Sequence, residues 1–326
     1  MSSELTASVQ LAGDDPVGFA ERADDLGYRG VWTGELWGTD AFVTLARIAE
    51  RTDIDVGTSI VNAYSRSPAA LAGAAANISE ATNGQVTLGV GTSTEKAVED
   101  LHGTEFENPP RRLHETIALA RRFLETDERV SYDGELFSVA DFPGLDADVP
   151  VYAAALGPAT RRATGRVADG WLPHNIPFER LEPAFELVAR TAREAGRDPD
   201  DIDVVPYVPA AVSADGEEAY DALRGHLAYY VGSADGYKNA VAQAFPDEAE
   251  AVADAWRSGD RAAARERVSD EMVDALGVAG TPEGARERLR EVAALPVVDE
   301  PLVVTPSNAS VELAMETVAA LAPANL

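Results

Sequence analysis

Residues 54–79 read IDVGTSIVNAYSRSPAALAGAAANIS, and they contain one repeat of the fold. Residues 54–62 form an apolar run of strand length, with small residues before a lone isoleucine. The chain then turns polar and aromatic at Asn62, Tyr64, Ser65 and Arg66. Ser67 suits a helix cap and Pro68 the first helical position, so the alanine-rich run that follows is predicted as a helix. A buried strand, a polar lip and a helix make one βα unit.

The same unit recurs along the chain. Strands are expected at 5–12, 30–35, 54–62, 86–93, 149–156, 169–175, 202–213 and 301–306. Helical patterns follow at 15–27, where Gly27 is the stop, and at 41–52, 68–83, 111–127, 158–168 and 178–196. Thr281, Pro282 and Glu283 read as cap, first position and dipole partner of a late helix. Eight such units predict a (β/α)8 barrel, with a doubly wound open sheet as the alternative. The whole chain, 1–326, reads as one domain. Two segments interrupt the repeat: a hairpin at 129–139 turning at Asp133-Gly134, and a charged helical insertion at 216–277 on the C-terminal face.

Composition narrows the function. Hydrophobic residues make up 45 % of the chain, enough for a real core. No apolar run of about 18 residues occurs, so no conventional membrane helix is expected. The opening MSSELTASVQLAGDD lacks a basic and an apolar signal region, which suggests a cytoplasmic protein. The absence of cysteine removes disulfides, thiolate metal sites and cysteine nucleophiles. The formal net charge of -29 repels nucleic acid and anionic membranes. Acid excess with only Lys96 and Lys238 as lysines suggests a salt-rich cytoplasm.

In a barrel, chemistry sits on the loops after the strand C-terminal ends. These loops carry Glu35, Asn62 to Arg66, Thr92 to Glu95, Leu156-Gly157-Pro158, His174 with Asn175, and Thr305 to Asn308. Gly89-Val90-Gly91 begins like a dinucleotide loop but lacks the third glycine, and small residues there suit a flat ligand better. Ala153 to Pro158 ends a strand in small residues and opens a helix, and free N–H groups at such a start suit a phosphate. An ordinary tight βα turn explains the same residues. The four histidines are scattered, so no zinc site is expected.

Read in order, GYRGVWTGELWGTDAFVTLARIAERT, VGTSIVNAYSRSP, VTLGVGTS, VYAAALGPATRRATGRVADGWLPH and VAGTPEGARERL resemble the luciferase-like oxidoreductases, and within them the coenzyme F420-dependent branch. The resemblance spans about residues 5–322 and looks nearest to methylene-tetrahydromethanopterin reductases. It implies a barrel binding its cofactor at the C-terminal mouth, and a homodimer or larger homo-oligomer. It implies a third-strand bulge with a non-proline cis bond between Ser59 and Ile60, backing the ring. Asn62, Thr92, Ala155, Leu156, Gly157 and His174 would be further cofactor contacts. Glu35 and Glu95 become candidates for the proton relay.

Two positions depart from the family pattern. Leu36 stands where the alcohol and sugar-phosphate dehydrogenases of the branch carry histidine, and Gln10 where the pterin reductases carry glutamate. The expected activity is hydride transfer between the deazaflavin C5 and a small organic substrate, including the methylene-tetrahydropterin or folate type. An FMN-dependent monooxygenase and a non-catalytic cofactor-binding protein are the alternatives.

Overall fold

The computed structural model describes residues 5–36 and 39–326. The chain begins β1 (Ser8–Gln10), α1 (Pro16–Asp25), β2 (Gly30–Thr33), α2 (Ala41–Ala49), β3 (Asp55–Thr58), β4 (Val61–Asn62), α3 (Pro68–Ser79) and β5 (Val86–Gly91). A π-helical turn at Ala97–Leu101 precedes α4 (Pro109–Leu124). The hairpin β6 (Arg129–Asp133) and β7 (Ser138–Pro143) then leads to β8 (Val151–Ala154), α5 (Pro158–Val167), β9 (Gly170–Trp171) and α6 (Leu181–Glu194). After β10 (Asp203–Val204) and β11 (Tyr207–Val212) come five helices in a row: α7 (Gly216–Ser233), α8 (Asp235–Val241), α9 (Pro246–Arg257), α10 (Arg261–Glu266) and α11 (Asp270–Leu276). β12 (Val278–Gly280), α12 (Pro282–Ala293), β13 (Leu302–Val304) and α13 (Val311–Ala320) complete the chain.

The large sheet is parallel throughout and runs β10-β9-β8-β5-β3-β2-β1-β13-β11-β12. β10, at one end of this order, and β11, next to the other end, belong to one stave, because only Val205-Pro206 separates them. Proline lacks the ladder donor, which breaks the strand assignment there. The stave still bonds on both sides: Val205 N–H donates to Trp171 O at 2.9 Å, and Leu302 N–H to Pro206 O at 2.9 Å. The ring of eight staves therefore closes as a (β/α)8 barrel, with β3 and β4 as the two halves of the third. Both faces of the staves are covered, which is why they read as apolar runs and not as alternation. The insertion α7–α11 has its own core, including Leu223, Leu227, Val252, Met272 and Leu276.

The hairpin differs from its expected form. Asp133 pairs with Ser138, so the connection is Gly134–Phe137 and not a two-residue Asp-Gly turn. Glu115 on α4 is the cause. Its buried carboxylate accepts the N–H groups of Glu135, Leu136 and Phe137 at 2.9, 2.9 and 3.2 Å. A Cβ on Gly134 would lie 2.4 Å from Glu115 Oε2, so only glycine fits beneath the loop. The sixth strand is also shorter than expected: Pro173 has no donor, and Asn175 turns to a left-handed φ of 54°.

At the N-terminal end of the staves a polar cluster gathers around the buried Glu300. Ser8 Oγ donates to Glu300, and Arg29 reaches Glu300 and Asp55 at 3.1 Å each. Burial pushes the Glu300 carboxyl up, and the hydrogen bond from Ser8 and the charge of Arg29 offset this only in part.

Candidate functional site

At the C-terminal end of the third stave, the Ser59–Ile60 peptide bond is cis. Neighbours on three staves hold this segment. Ser59 N–H donates to Thr33 O at 2.7 Å, and Glu35 N–H to Ile60 O at 3.1 Å. The Gln10 amide donates to Ser59 Oγ at 3.3 Å. Thr58 Oγ donates to Gly89 O and accepts Gly89 N–H, both at 2.8 Å. A Cβ on Gly89 would stand 1.9 Å from Thr58 O, so this glycine serves close strand approach, while Gly91 leaves room for the Ile60 side chain. Ile60 itself packs with Trp32, Tyr152, Leu172, Tyr207 and Val304 inside the mouth.

The polar lip after this segment folds on itself. Asn62 is buried, and its Oδ1 accepts the Tyr64 N–H at 2.7 Å while its carbonyl accepts Ser65 Oγ at 3.0 Å. Tyr64 packs on Phe106 and lies under the Arg112 guanidinium. Arg66 points the other way. Its two terminal nitrogens meet Glu35 at 2.5 and 2.7 Å, and one also meets Asp40 at 2.6 Å. The Glu35 hydrogen bond raises the Arg66 pKa above the ordinary guanidinium value. Burial alone would raise Asp40, but the Val43 N–H and Arg66 outweigh it and hold that carboxyl below its usual range.

Thr92 is half-buried beyond β5, and Glu95, three residues on, is exposed. Among the described residues Glu95 takes part in no ion pair. Across β8, Ala155 O accepts the Trp171 indole N–H at 2.8 Å, which ties that loop to β9. Gly157 caps α5 with no side-chain hydrogen bond, and Pro158 takes the first helical position. The first donors of this helix thus have no side chain to meet them.

The sixth and seventh staves present an aromatic cluster. His174 stacks on Tyr207 with centroids 4.6 Å apart and meets Tyr230 and Tyr237 edge-on at 4.4 and 5.4 Å. His226 lies 6.2 Å from His174 and 4.7 Å from Tyr230. His174, Asn175 and His226 are 8 %, 2 % and 3 % exposed. His174 Nε2, both amide atoms of Asn175 and both ring nitrogens of His226 make no hydrogen bond within the protein. Burial pushes His226 down to about 4, and burial with the neighbouring imidazole holds His174 well below its ordinary value. Both rings are therefore neutral at pH 7.

All the expected site residues lie at one end of the barrel. Glu35, Ser59, Ile60 and the Asn62 lip are joined directly through Arg66 and the Glu35–Ile60 hydrogen bond. Thr92 and Glu95 follow β5, Ala155, Leu156 and Gly157 follow β8, and His174 follows β9. Sequence reasoning missed Asp40, Tyr207, His226, Tyr230 and Tyr237. The run HLAYY at 226–230 was a signal, since it sets three polar rings in an otherwise charged helical segment. Among the described residues no three His, Cys, Asp or Glu side chains converge on a metal position. No helix there is long and apolar enough to cross a membrane.

A family model described as luciferase-like monooxygenase matches residues 3–299. The 5,10-methylenetetrahydromethanopterin reductase of Methanolobus tindarius is 31 % identical over 300 residues, which cover 88 % of this chain and 90 % of that protein. The fold is also that of the coenzyme F420-dependent tetrahydromethanopterin reductase from Methanopyrus kandleri, at a TM-score of 0.79 and 22 % identity over 99 % and 98 % of the two chains. An F420-dependent secondary alcohol dehydrogenase in complex with an F420-acetone adduct superposes at a TM-score of 0.74 and 20 % identity, over the full length of both.

Proposed function

The chain belongs to the luciferase-like monooxygenase family, and we propose that it works as a coenzyme F420-dependent oxidoreductase. Its substrate is a small organic molecule of the methylene-tetrahydropterin or folate type. The observation that carries this reading is the 31 % identity, across 88 % of the chain, with a methylenetetrahydromethanopterin reductase.

The residues fit the cofactor. The uncapped start of α5 at Gly157 suits the phosphate of its tail, with the Ala155-Leu156 turn beside it. The Ser59–Ile60 segment offers the ring a wall, with Asn62 and Thr92 beside it. When bound, the deazaflavin supplies a carbon that gives or takes hydride.

The chain's own part is orientation, exclusion of water and proton handling. Gln10, Thr33 and Glu35 hold the Ser59–Ile60 wall through hydrogen bonds on both of its sides. The insertion, through α7 and α8, covers the opposite side of the mouth and keeps water out. A hydride leaves the charge of the substrate changed by one, so a proton must be given or taken, and a carboxylate can relay it. Glu35 sits beside the Ile60 carbonyl in an ion pair, and Glu95 is unpaired and exposed; these two are the relay candidates. The exposed acidic surface suits a salt-rich cytoplasm, and the active species is a homodimer or larger.

Fluorescence titration with F420 and with FMN, followed by bleaching of F420 on addition of methyl-tetrahydrofolate or its pterin counterpart, tests the reading. Tight F420 binding with bleaching is expected. Preferential FMN binding with oxygen-coupled oxidation of the substrate would replace it with a monooxygenase. F420 binding without turnover over a broad panel would leave a cofactor-binding protein, in line with the Leu36 and Gln10 departures.

A further inference from the structure

We propose that His174, Asn175 and His226 form a charge-free subsite on the β9–β11–α7 wall of the mouth that reads an uncharged donor–acceptor edge of the substrate ring. This rests on the reading above, and it adds the residues that select the substrate.

The three side chains are each more than nine-tenths buried, yet five of their polar atoms have no partner within the protein. A buried polar atom is stable only when something meets it. Here the surroundings are the rings of Tyr207, Tyr230 and Tyr237, packed within 4.4–5.4 Å of His174. No acidic or basic side chain acts on either imidazole, apart from each other. A carboxylate or phosphate finds no cation in this wall, and a cation finds no carboxylate. An apolar ring would leave all five atoms unmet. Each neutral imidazole offers one donor and one acceptor, and the Asn175 amide offers both kinds. The complement is a flat, neutral group with a donor and an acceptor side by side, as on a lactam.

Its place in the barrel gives this wall to the substrate. The third stave carries Ser59–Ile60, and the β10–β11 stave lies four places away in a ring of eight, directly opposite. Tyr207 reaches Ser59 across the barrel, and a ring lying over the third stave leaves His174, Asn175 and His226 to its reaction partner. His226 and Tyr230 come from α7, and Tyr237 from α8, so the insertion supplies half of this subsite. Asn308 in the loop after β13 donates to Ala222 O at 3.4 Å and fastens α7 over the mouth.

The experiment uses the F420-loaded protein, with F420 affinity measured first on every variant. Pterin is the donor–acceptor probe, and 2-naphthoate is a flat anion lacking that edge; both are titrated by calorimetry. His174→Phe and His226→Phe keep a ring of similar size and remove the nitrogens. Asn175→Gly removes the amide and tolerates the φ of 54°. Wild type should bind pterin and not naphthoate. Each variant should lose about tenfold in pterin affinity, with F420 affinity within about twofold of wild type. The two phenylalanine variants should melt at the same temperature or higher, because an unpaired polar ring becomes an apolar one. Unchanged pterin affinity in the variants would overturn the proposal, as would naphthoate binding as tightly as pterin. A loss of F420 affinity equal to that of pterin would give the cluster to the cofactor. Wild type that binds F420 but not pterin defeats the subsite alone, whereas wild type that fails to bind F420 defeats the underlying reading.

Discussion

Arg66 spans the rim between two loops, with both terminal nitrogens on the carboxylate of Glu35 at 2.5 and 2.7 Å. The two side chains are only 21 % and 16 % exposed, so water screens them little. Arg66→Met should destabilise the fold by about 1.5–3 kcal/mol, the range for hydrogen bonds to charged groups. Arg66→Lys should lie between, because it keeps the charge and loses the fork. Asp40→Asn should cost less than about 1 kcal/mol, since Asp40 is 43 % exposed. Urea unfolding of the three variants orders these effects, and an Asp40→Asn loss as large as that of Arg66→Met would contradict the assignment.

The proton relay separates in kinetics. Glu35→Gln and Glu95→Gln should both retain F420 binding. The one that carries the proton should lose about 10²–10⁴ in kcat/KM. Equal and small losses in both would remove carboxylate relay from the mechanism.

Gly157 and Gly89 answer to different constraints. Gly89→Ala puts a methyl against Thr58 O and should destabilise by at least about 2 kcal/mol. A Cβ on Gly157 meets only Thr160 Oγ1, at 3.8 Å. Gly157→Asp supplies a good helix cap and should hold or raise the melting temperature. The same carboxylate repels a phosphate at that helix start, so F420 affinity should fall about tenfold or more. Unaltered affinity in Gly157→Asp would move the phosphate elsewhere.

Glu115 and Glu300 predict opposite pH responses. Burial alone would raise Glu115, but three N–H donors hold its carboxyl below the usual range. Its contribution is therefore present above the ordinary carboxylate pKa and is lost as pH falls through the lower folded value. Glu115→Gln should weaken the fold at pH 7 by about 1–3 kcal/mol, with faster amide exchange in the hairpin and a smaller difference in acid. Glu300 has a raised folded pKa, chiefly from burial. Its contribution is complete below the unfolded pKa and is lost as pH rises through the folded one. Wild type should therefore gain stability relative to Glu300→Gln when pH is lowered from 7 towards 5. Melting curves at both pH values check the sign, and a constant difference would refute it.

The alternation of strands and helices was legible because each element carries its own evidence. Ser67 caps α3 and accepts Ala70 N–H, and Pro68 opens that helix, as the local residues require. Strand ends were less legible where a proline intervened. Pro206 splits one stave in two, and only the partners Trp171 and Leu302 reveal that the stave is continuous. The hairpin turn misled because Asp133-Gly134 has the local chemistry of a tight turn, while Glu115, some twenty residues earlier, dictates a wider one.

By itself the sequence determined the repeat, the helix caps, the acidic composition, the exclusion of cysteine chemistry and which loops gather at one end of the barrel. These follow from properties of neighbouring residues: hydrophobic period, cap chemistry and composition. Only the tertiary structure decided that Arg66 takes Glu35, that Gln10 steadies Ser59, and that His226, Tyr230 and Tyr237 from the insertion close upon His174 and Tyr207. Periodicity says which face of an element is buried, but not what it is buried against. Those partners lie tens of residues apart in the chain, and barrel closure alone brings them into contact.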